Sequence, residues 1–343
     1  MEMLDISVII VTYNHERYIR KTIESVLAQD FSGTMEVLIG DDYSQDSTRE
    51  IIREYQSKYM NKIVPVYQEK NIGATRNAYS VFMKAKGKYL ALLDGDDYWT
   101  DTNKLQKQFE YLEQNKDTMA VYHKVVAVNE YNKVIDKDFC MFDSAVYTLH
   151  DFERGRFPSQ TGSCLCRNIF LSHDSKYEIF YQAHTLIGDC TLLLLLLEKG
   201  EIAILPERMS AYRIVESKDA GNAVSLKIRN NMYYEEWMYY SDLGDYAREN
   251  NIRVSMDFLM KCAYVSSVTR FLRTRRYKDY IVSKKILNQS GERIAYQIFL
   301  LRCSWGYFWT KLTHKNAHRL EIAWKYNHLS KWRVEKKVER NAG

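Results

Sequence analysis

The segment Ile6–Leu27, ISVIIVTYNHERYIRKTIESVL, decides the fold. Its first six residues form a run rich in β-branched side chains, the pattern of a strand buried on both faces. TYNHE is turn-like, and after it Ile19, Ile23, Val26 and Leu27 recur at helical spacing. The segment therefore reads as strand, loop, helix.

The unit repeats outward from there. EVLIG (36–40) is strand-like, DDYSQDS is a polar loop, and Ser47 with Glu50 predicts a capping box for a helix carrying Ile51, Ile52 and Tyr55. IVPVYQ (63–68) reads as a third strand, with Pro65 placing it at an edge or an irregularity. A helix over about 74–86 leads into the strand KYLALL (88–93), and Leu105, Gln108, Phe109 and Leu112 mark the helix after it. Farther on, MAVYHKVVAV (119–128) and EIAIL (201–205) look like strands, and LIGDCTLLLLLLEKG looks like a helix entered through Asp189. Alternating strands and helices predict a mixed, mostly parallel α/β sheet flanked by helices. Ligands bind such sheets at the carboxyl ends of the strands. TYNHE, DDYSQDS and DGDD all follow strand ends, so they should converge on one crevice.

Within LALLDGDDYW (90–99), an apolar strand runs into Asp94, Asp96 and Asp97. Carboxylates this close repel one another unless a cation or a set of donors compensates. Asp94 and Asp96 would point the same way on an extended segment, and Gly95 lets the backbone approach a ligand. Such hard oxygen donors suit Mg²⁺ or Mn²⁺ bridging to a diphosphate. The bland alternative is a loop of acidic residues capping the next helix.

The chain of 343 residues has 46% hydrophobic residues, enough for a real core. Its net charge of +5 conceals an asymmetry: residues 261–343 carry 19 Lys and Arg against 5 Asp and Glu, which leaves 30 against 39 for residues 1–260. The six cysteines include no CxxC pair, and reduced thiols are expected. The N-terminus MEMLDISVII enters a strand-like run without a charged leader, and the longest apolar stretch, Leu192–Leu197, is far short of the roughly 20 residues that span a bilayer. A cytoplasmic protein is expected, with the inner face of the cell membrane as a further location.

Taken in order, SVIIVTYNHERYIRKTIESVLAQ, EVLIGDDYSQDST, EKNIGATRNA, KYLALLDGDDYW, TGSCLCRNIF and GDCTLLLLLLEKG followed by ILPERMSAYR resemble family 2 of the inverting, nucleotide-sugar-dependent glycosyltransferases, which have the GT-A fold. The resemblance covers about residues 5–215. It implies that Thr12, Tyr13, Asn14 and Glu16 contact the nucleotide, that Asp42, with Asp41 as the second choice, meets the base or ribose, and that Arg76 reaches the nucleotide. From chemistry alone, Tyr13 is able to stack on a base, while Asn14 could instead cap a helix. Asp46 and Ser47 read as cap and turn residues, and Tyr43 stands where the family often has a small residue. The DGDD cluster matches the family's DxD element, with Asp94 and Gly95 at the sugar-nucleotide, Asp96 as chief metal ligand and Asp97 as a second. Asp189 matches the family's base, with Glu178 and Asp174 as rivals and a plain N-cap as its bland reading. Arg213 in SAYR matches an arginine that helps hold the diphosphate, though Val215 stands where many relatives have a histidine. The segment VESKDAGNAVS is a candidate closure over the donor. Gly162 and Ser163 match the acceptor pocket, with a weaker acceptor contact at His184.

The expected organisation is a GT-A domain over 1–224, with a nucleotide-sugar half (1–118) and an acceptor half (119–224), then a basic, aromatic helical region over 225–343. The implied reaction is metal-assisted single displacement, with Mn²⁺ or Mg²⁺ as cofactor, a UDP-sugar as donor and a glycan or lipid-linked glycan as acceptor, in cell-surface polysaccharide synthesis. Residues 261–343 suit peripheral contact with an anionic membrane. Helical packing or contact in a homo-oligomer is the other reading of that region, and no nucleic-acid partner is expected. Competing functions are a nucleotidyltransferase, disfavoured because TYNHERYIRK has no glycine to cradle a triphosphate, and a non-catalytic binding relative.

Overall fold

In the computed structural model, which describes residues 4–135, 144–215 and 230–313, strand β1 (Ile6–Thr12) is buried along nearly its whole length. That is why it carries apolar residues without alternation. The chain continues through α1 (Ile19–Leu27), β2 (Met35–Asp41), α2 (Thr48–Lys58), β3 (Ile63–Tyr67), α3 (Ala74–Phe82) and β4 (Tyr89–Asp94). It goes on through β5 (Tyr98–Trp99), α4 (Lys104–Gln114), β6 (Thr118–Asn129), β7 (Val146–Tyr147), α5 (Leu149–Glu153), β8 (Leu165–Arg167), α6 (Ile179–Gln182), α7 (Asp189–Leu197) and β9 (Glu201–Ile214).

The strands form one sheet in the order β3-β2-β1-β4-β8-β6-β9-β5, with β7 also on β9. β1 pairs in parallel with β2 and β4, β2 with β3, and β6 with β9. β8 is antiparallel to both its neighbours, and β5 and β7 are antiparallel to β9. The sheet is thus mixed and mostly parallel. Pro65 lies on the edge strand β3, where its missing N–H costs least.

The chain winds outward from β1 to β3 and then crosses to β4 on the other side of β1. The order reverses there, and the divergent loops open a crevice at the carboxyl ends of β1 and β4. Register places Val11 opposite Asp94 and Thr12 opposite Asp41, so the two acidic loops flank TYNHE. Beneath them, Val8, Ile10, Ile39, Leu93 and Val121 belong to one buried cluster with Ile19 and Ile23 of α1. Helix α7 is apolar on every side because Cys190–Leu197 are all buried, each leucine contributing roughly 1.5–3 kcal/mol.

Three local expectations change. The helix expected to reach Lys86 stops at Phe82, because Glu36 Oε1 accepts the Lys86 N–H at 2.8 Å and Ser7 Oγ the Gly87 N–H at 2.7 Å. No capping box forms at Ser47, whose side chain makes no cap bond; Asp46 Oδ1 accepts the Thr48 N–H instead, at 3.0 Å. Asp189 is the first helical residue and Gly188 the cap position, so the plain N-cap reading of Asp189 does not apply.

Two compact units result, Met1–Phe152 with Phe157–Ala220 and Glu153–Arg156 with Gly221–Gly343. The second holds α8 (Tyr233–Glu249), α9 (Asp257–Thr274), α10 (Tyr277–Gln289) and α11 (Arg293–Thr313). Trp237, Ala263, Tyr264, Ile286 and Tyr296 form its core, and the Trp237 indole N–H donates to Tyr296 Oη at 3.0 Å. Among the described residues no helix is long and apolar enough to cross a membrane. The five described cysteines are free thiols.

Candidate active site

Strand β4 delivers Asp94 to the crevice half-buried, and the chain then turns. Gly95 N–H donates to Val11 O at 2.8 Å, and Thr22 Oγ on α1 lies 2.7 Å from Asp97 O and 3.0 Å from Gly95 O. A Cβ on Gly95 would fall 2.6 Å from Thr12 Oγ1 and 2.8 Å from His15 Nδ1. The neighbouring loop therefore requires a glycine here.

Asp94 and Asp96 remain partly open to solvent, whereas Asp97 is 3% exposed. Its Oδ1 accepts the Arg213 N–H at 2.7 Å, and burial with the charges of Asp96 and Asp94 pushes its carboxyl well above the usual range. A group so enclosed braces the loop between β4 and β5. Arg213 is likewise internal. Its guanidinium donates to Asp96 O at 2.6 Å, Asn129 O at 3.0 Å, Glu130 O at 3.4 Å and Asn132 Oδ1 at 2.8 Å, and lies 4.4 Å from the centre of the Tyr18 ring. Through those bonds Arg213 holds the DGDD turn.

The carboxyl of Asp94 is pushed up to about 7, first by burial and then by the charges of Asp96 and Asp189. Asp189 lies exposed at the start of α7, where its Oδ1 accepts the Cys190 N–H at 2.9 Å. Three carboxylates from two elements thus share one electrostatic neighbourhood. Among the described residues no group of three or more His, Cys, Asp or Glu is placed to hold a metal ion by itself. Two accessible oxygen donors, Asp94 and Asp96, fit a divalent cation that completes its shell with water and diphosphate oxygens. Glu178 and Asp174 are spent locally: Glu178 accepts from Tyr181 and Gln182, and Asp174 caps the turn at Lys176.

A strap, residues 183–188, brings Asp189 to this place. His184 Nδ1 accepts the N–H groups of Leu186 at 3.0 Å and Ile187 at 3.1 Å, which fixes the bare nitrogen of the ring. Thr75 Oγ1 donates to His184 O at 2.6 Å and the Thr75 N–H to Thr185 O at 3.2 Å. Gly73, at φ +90°, leaves no room for a side chain, since a Cβ would meet Thr185 O at 2.8 Å. The same loop is tied to Asp42, whose Oδ1 accepts the Ile72 N–H at 2.7 Å and Oδ2 the Gly73 N–H at 3.0 Å. Asp42 is 3% exposed, and its carboxyl is raised by burial. Its carboxylate thus ties the loop after β2 to the one before α3.

The remaining expected residues divide into open and closed ones. Tyr13 is exposed, as is Asn14, whose Oδ1 accepts the Gln45 N–H at 2.8 Å while its own N–H donates to Ser44 Oγ at 2.9 Å. Asn14 therefore laces two loops together and caps no helix. Glu16 Oε2 accepts the Ser47 N–H at 2.9 Å, and Thr12 is buried with its hydroxyl 3.2 Å from His15 Nδ1. Arg76 is exposed, its guanidinium 4.9 Å from the Tyr181 ring centre. Gly162 and Ser163 are buried: Gly162 O accepts the Trp99 indole N–H at 3.0 Å, and Ser163 Oγ donates to Gln160 O at 2.7 Å. Most of VESKDAGNAVS (215–225) lies outside the described residues. Thr22 and Thr75 carry the site without having been singled out, because a threonine in a helix gives no pattern of its own.

The model of glycosyl transferase family 2 matches residues 7–191. The Nostoc glycosyltransferase alr2836 is 32% identical over 288 residues, covering 81% of this chain and 83% of that protein. The Mycobacterium tuberculosis protein Rv1520 is 35% identical over 207 residues, and the match spans only 58% of that relative's length. The Escherichia coli protein named UDP-Glc:alpha-D-GlcNAc-diphosphoundecaprenol beta-1,3-glucosyltransferase WfaP is 35% identical over 134 residues, 39% of this chain and 48% of its own. The crystal structure of Staphylococcus aureus TarS 1–349 in complex with UDP-GlcNAc superposes with a TM-score of 0.61 at 17% identity, covering 84% of this chain and 81% of TarS. That likeness bears out the expected GT-A fold.

Proposed function

The chain belongs to glycosyl transferase family 2, and from that premise we propose that it transfers a sugar from a uridine nucleotide-sugar to an acceptor hydroxyl with inversion, in a metal-assisted single displacement. What supports this reading is the family match over residues 7–191 together with Asp94 and Asp96 at the carboxyl end of β4, where the charge of Asp189 also acts on Asp94. Asp189, exposed at the start of α7, takes the proton of the acceptor hydroxyl as that oxygen attacks the anomeric carbon. The nucleoside diphosphate leaves from the opposite face. Asp96, with Asp94 beside it, would hold Mg²⁺ or Mn²⁺, which neutralises the charge developing on the leaving diphosphate. Tyr13, Asn14 and Arg76 face the nucleotide, while Asp42, Gly95, Asp97 and Arg213 hold those loops in place. The donor lies against residues 1–118 and the acceptor against 119–224, with Gly162 and Ser163 behind it.

A uridine donor is supported by TarS, solved with UDP-GlcNAc and with UDP, and by the name of WfaP. The latter also supports a diphosphate-lipid-linked glycan as the acceptor class, and hence cell-surface glycan synthesis at the cytoplasmic face of a membrane. Helix α11 suits that place, since Ile294, Ile298 and Leu301 are exposed at i, i+4 and i+7 beside Arg293 and Arg302.

The test is turnover of a panel of UDP-sugars with Mn²⁺ or Mg²⁺ and an undecaprenyl-diphosphate glycan. Asp189→Ala and Asp96→Ala should each lower the rate by about 100-fold or more. Undiminished activity in either variant would overturn that residue's role.

A further inference from the structure

Tyr43 is the second residue of the loop after β2 to be held against its nature. Its φ is +65°, a left-handed conformation that glycine and asparagine adopt readily and a large aromatic residue does not. Its ring is nevertheless 40% exposed, so no hydrophobic core compensates for the backbone. Such outliers persist where the surroundings over-determine them, and they concentrate at ligand sites.

The surroundings here are fully described. Arg49 lies with its guanidinium carbon 5.1 Å from the centre of the Tyr43 ring and 5.3 Å from that of Tyr67. That guanidinium is itself fixed, donating to the buried carboxylate of Asp41 and, at 2.6 Å, to Gln68 O. One face of the Tyr43 ring therefore rests on an immobile planar cation. Gln45 Nε2 donates to Tyr43 O at 3.0 Å, and the neighbouring bonds from Asn14 to Ser44 and from Gln45 to Asn14 tie this loop to the one carrying Tyr13. The Asp42 N–H donates to Thr12 O at 3.0 Å, so Tyr13 and Tyr43 directly follow a hydrogen-bonded pair at the mouth of the crevice.

We infer that Tyr43 is a donor-binding residue, its Arg49-backed ring forming a platform for the face of the donor's nucleobase. The inference rests on the nucleotide-sugar reading above. A base presents a π-face to any such platform, and a ring already immobilised loses little freedom on contact.

Tyr43→Asn removes the ring and suits the left-handed backbone; Tyr43→Phe keeps the ring. UDP affinity is measured by calorimetry in the presence of Mn²⁺, and the melting midpoint is measured without nucleotide. Tyr43→Asn should bind UDP roughly tenfold more weakly, the worth of one base–aromatic stack, with its midpoint unchanged or raised. Tyr43→Phe should bind as the wild type does. Equal UDP affinity in Tyr43→Asn overturns the inference alone, as does a matching loss in Tyr43→Phe. A midpoint more than about 5 °C lower in Tyr43→Asn also overturns it, because the ring would then serve packing on Arg49. If the wild type binds no nucleoside diphosphate at all, the donor reading falls and this inference falls with it.

Discussion

His123 and Lys104 place two basic side chains in the interior of the catalytic unit without exposure, and neither His123 Nε2 nor Lys104 Nζ has a hydrogen-bond partner. Lys104 lies 4.2 Å from the Trp99 ring centre, and burial lowers its ammonium to about 7. Burial, with the charge of Lys104 second, lowers the His123 imidazole to about 3 from 6.5. Its folded pKa is below its unfolded one, so the unfolded chain binds the extra proton first. The contribution of neutral His123 to stability is complete above pH 6.5 and is lost as pH falls from there toward 3, by about 1.4 kcal/mol per unit. Urea denaturation of wild type and His123→Leu at pH 7, 6 and 5 measures it: the wild type should lose more stability than the variant over that range, and parallel losses would refute the assignment. Asp189 is of the opposite kind, exposed at the start of α7. If it is the base, Asp189→Asn should keep donor affinity within about twofold while turnover falls by about 100-fold or more, a split read by comparing UDP-sugar binding with single-turnover rates.

At the scale of elements, the proposed base Asp189 is only as well placed as the strap before α7. Thr75→Val removes the hydroxyl from His184 O and leaves a buried carbonyl with one partner fewer, at a cost of about 1–2 kcal/mol. Turnover should fall several-fold with the donor KM unchanged, and Thr75→Ser should restore it; a change in KM alone would place Thr75 at the donor. The strap also shows where reading the sequence reached its limit. β1, β2 and β4 were legible because strands covered on both faces must be apolar throughout, and α1 and α4 because their apolar positions recur at helical spacing. β5, β7 and β8 have two or three residues each, too few for any period to appear. β9 continues to Ile214 through the polar residues Glu207 and Arg208, which break the apolar run that marked its first half. The carboxylates of the crevice could be found by type, since acidic residues after apolar strands are conspicuous. Their orientation could not, because whether Asp97 faces inward depends on Arg213, 116 residues away in the chain.

Across the whole molecule, charge and aromatic content separate into different uses. The basic excess after residue 261 suggested a surface, and the aromatic residues there suggested anchors. Tyr264 and Tyr296 instead build the core of the second unit with Trp237, and Asp279 is buried accepting from Asn231, Arg270 and Thr274. Composition alone does not distinguish a packed aromatic ring from an anchoring one. Among the described residues of that region, Leu272, Tyr277, Tyr280 and Ile281 are also exposed, while Ile294, Ile298 and Leu301, 74%, 46% and 68% exposed, share one face of α11 with Arg293 and Arg302 alongside. Apolar side chains entering the headgroup boundary beside cations fit an anionic lipid surface better than a neutral one. The full-length wild type should therefore sediment with vesicles containing phosphatidylglycerol and not with phosphatidylcholine alone. Raising salt to 0.5 M should weaken this, since the Debye length shrinks. A variant with Ile294, Ile298 and Leu301 all changed to Asp should lose vesicle binding yet turn over a water-soluble acceptor at the wild-type rate. Equal sedimentation of that variant would move membrane contact away from α11, and loss of turnover on the soluble acceptor would mean that the exposed face serves the fold instead.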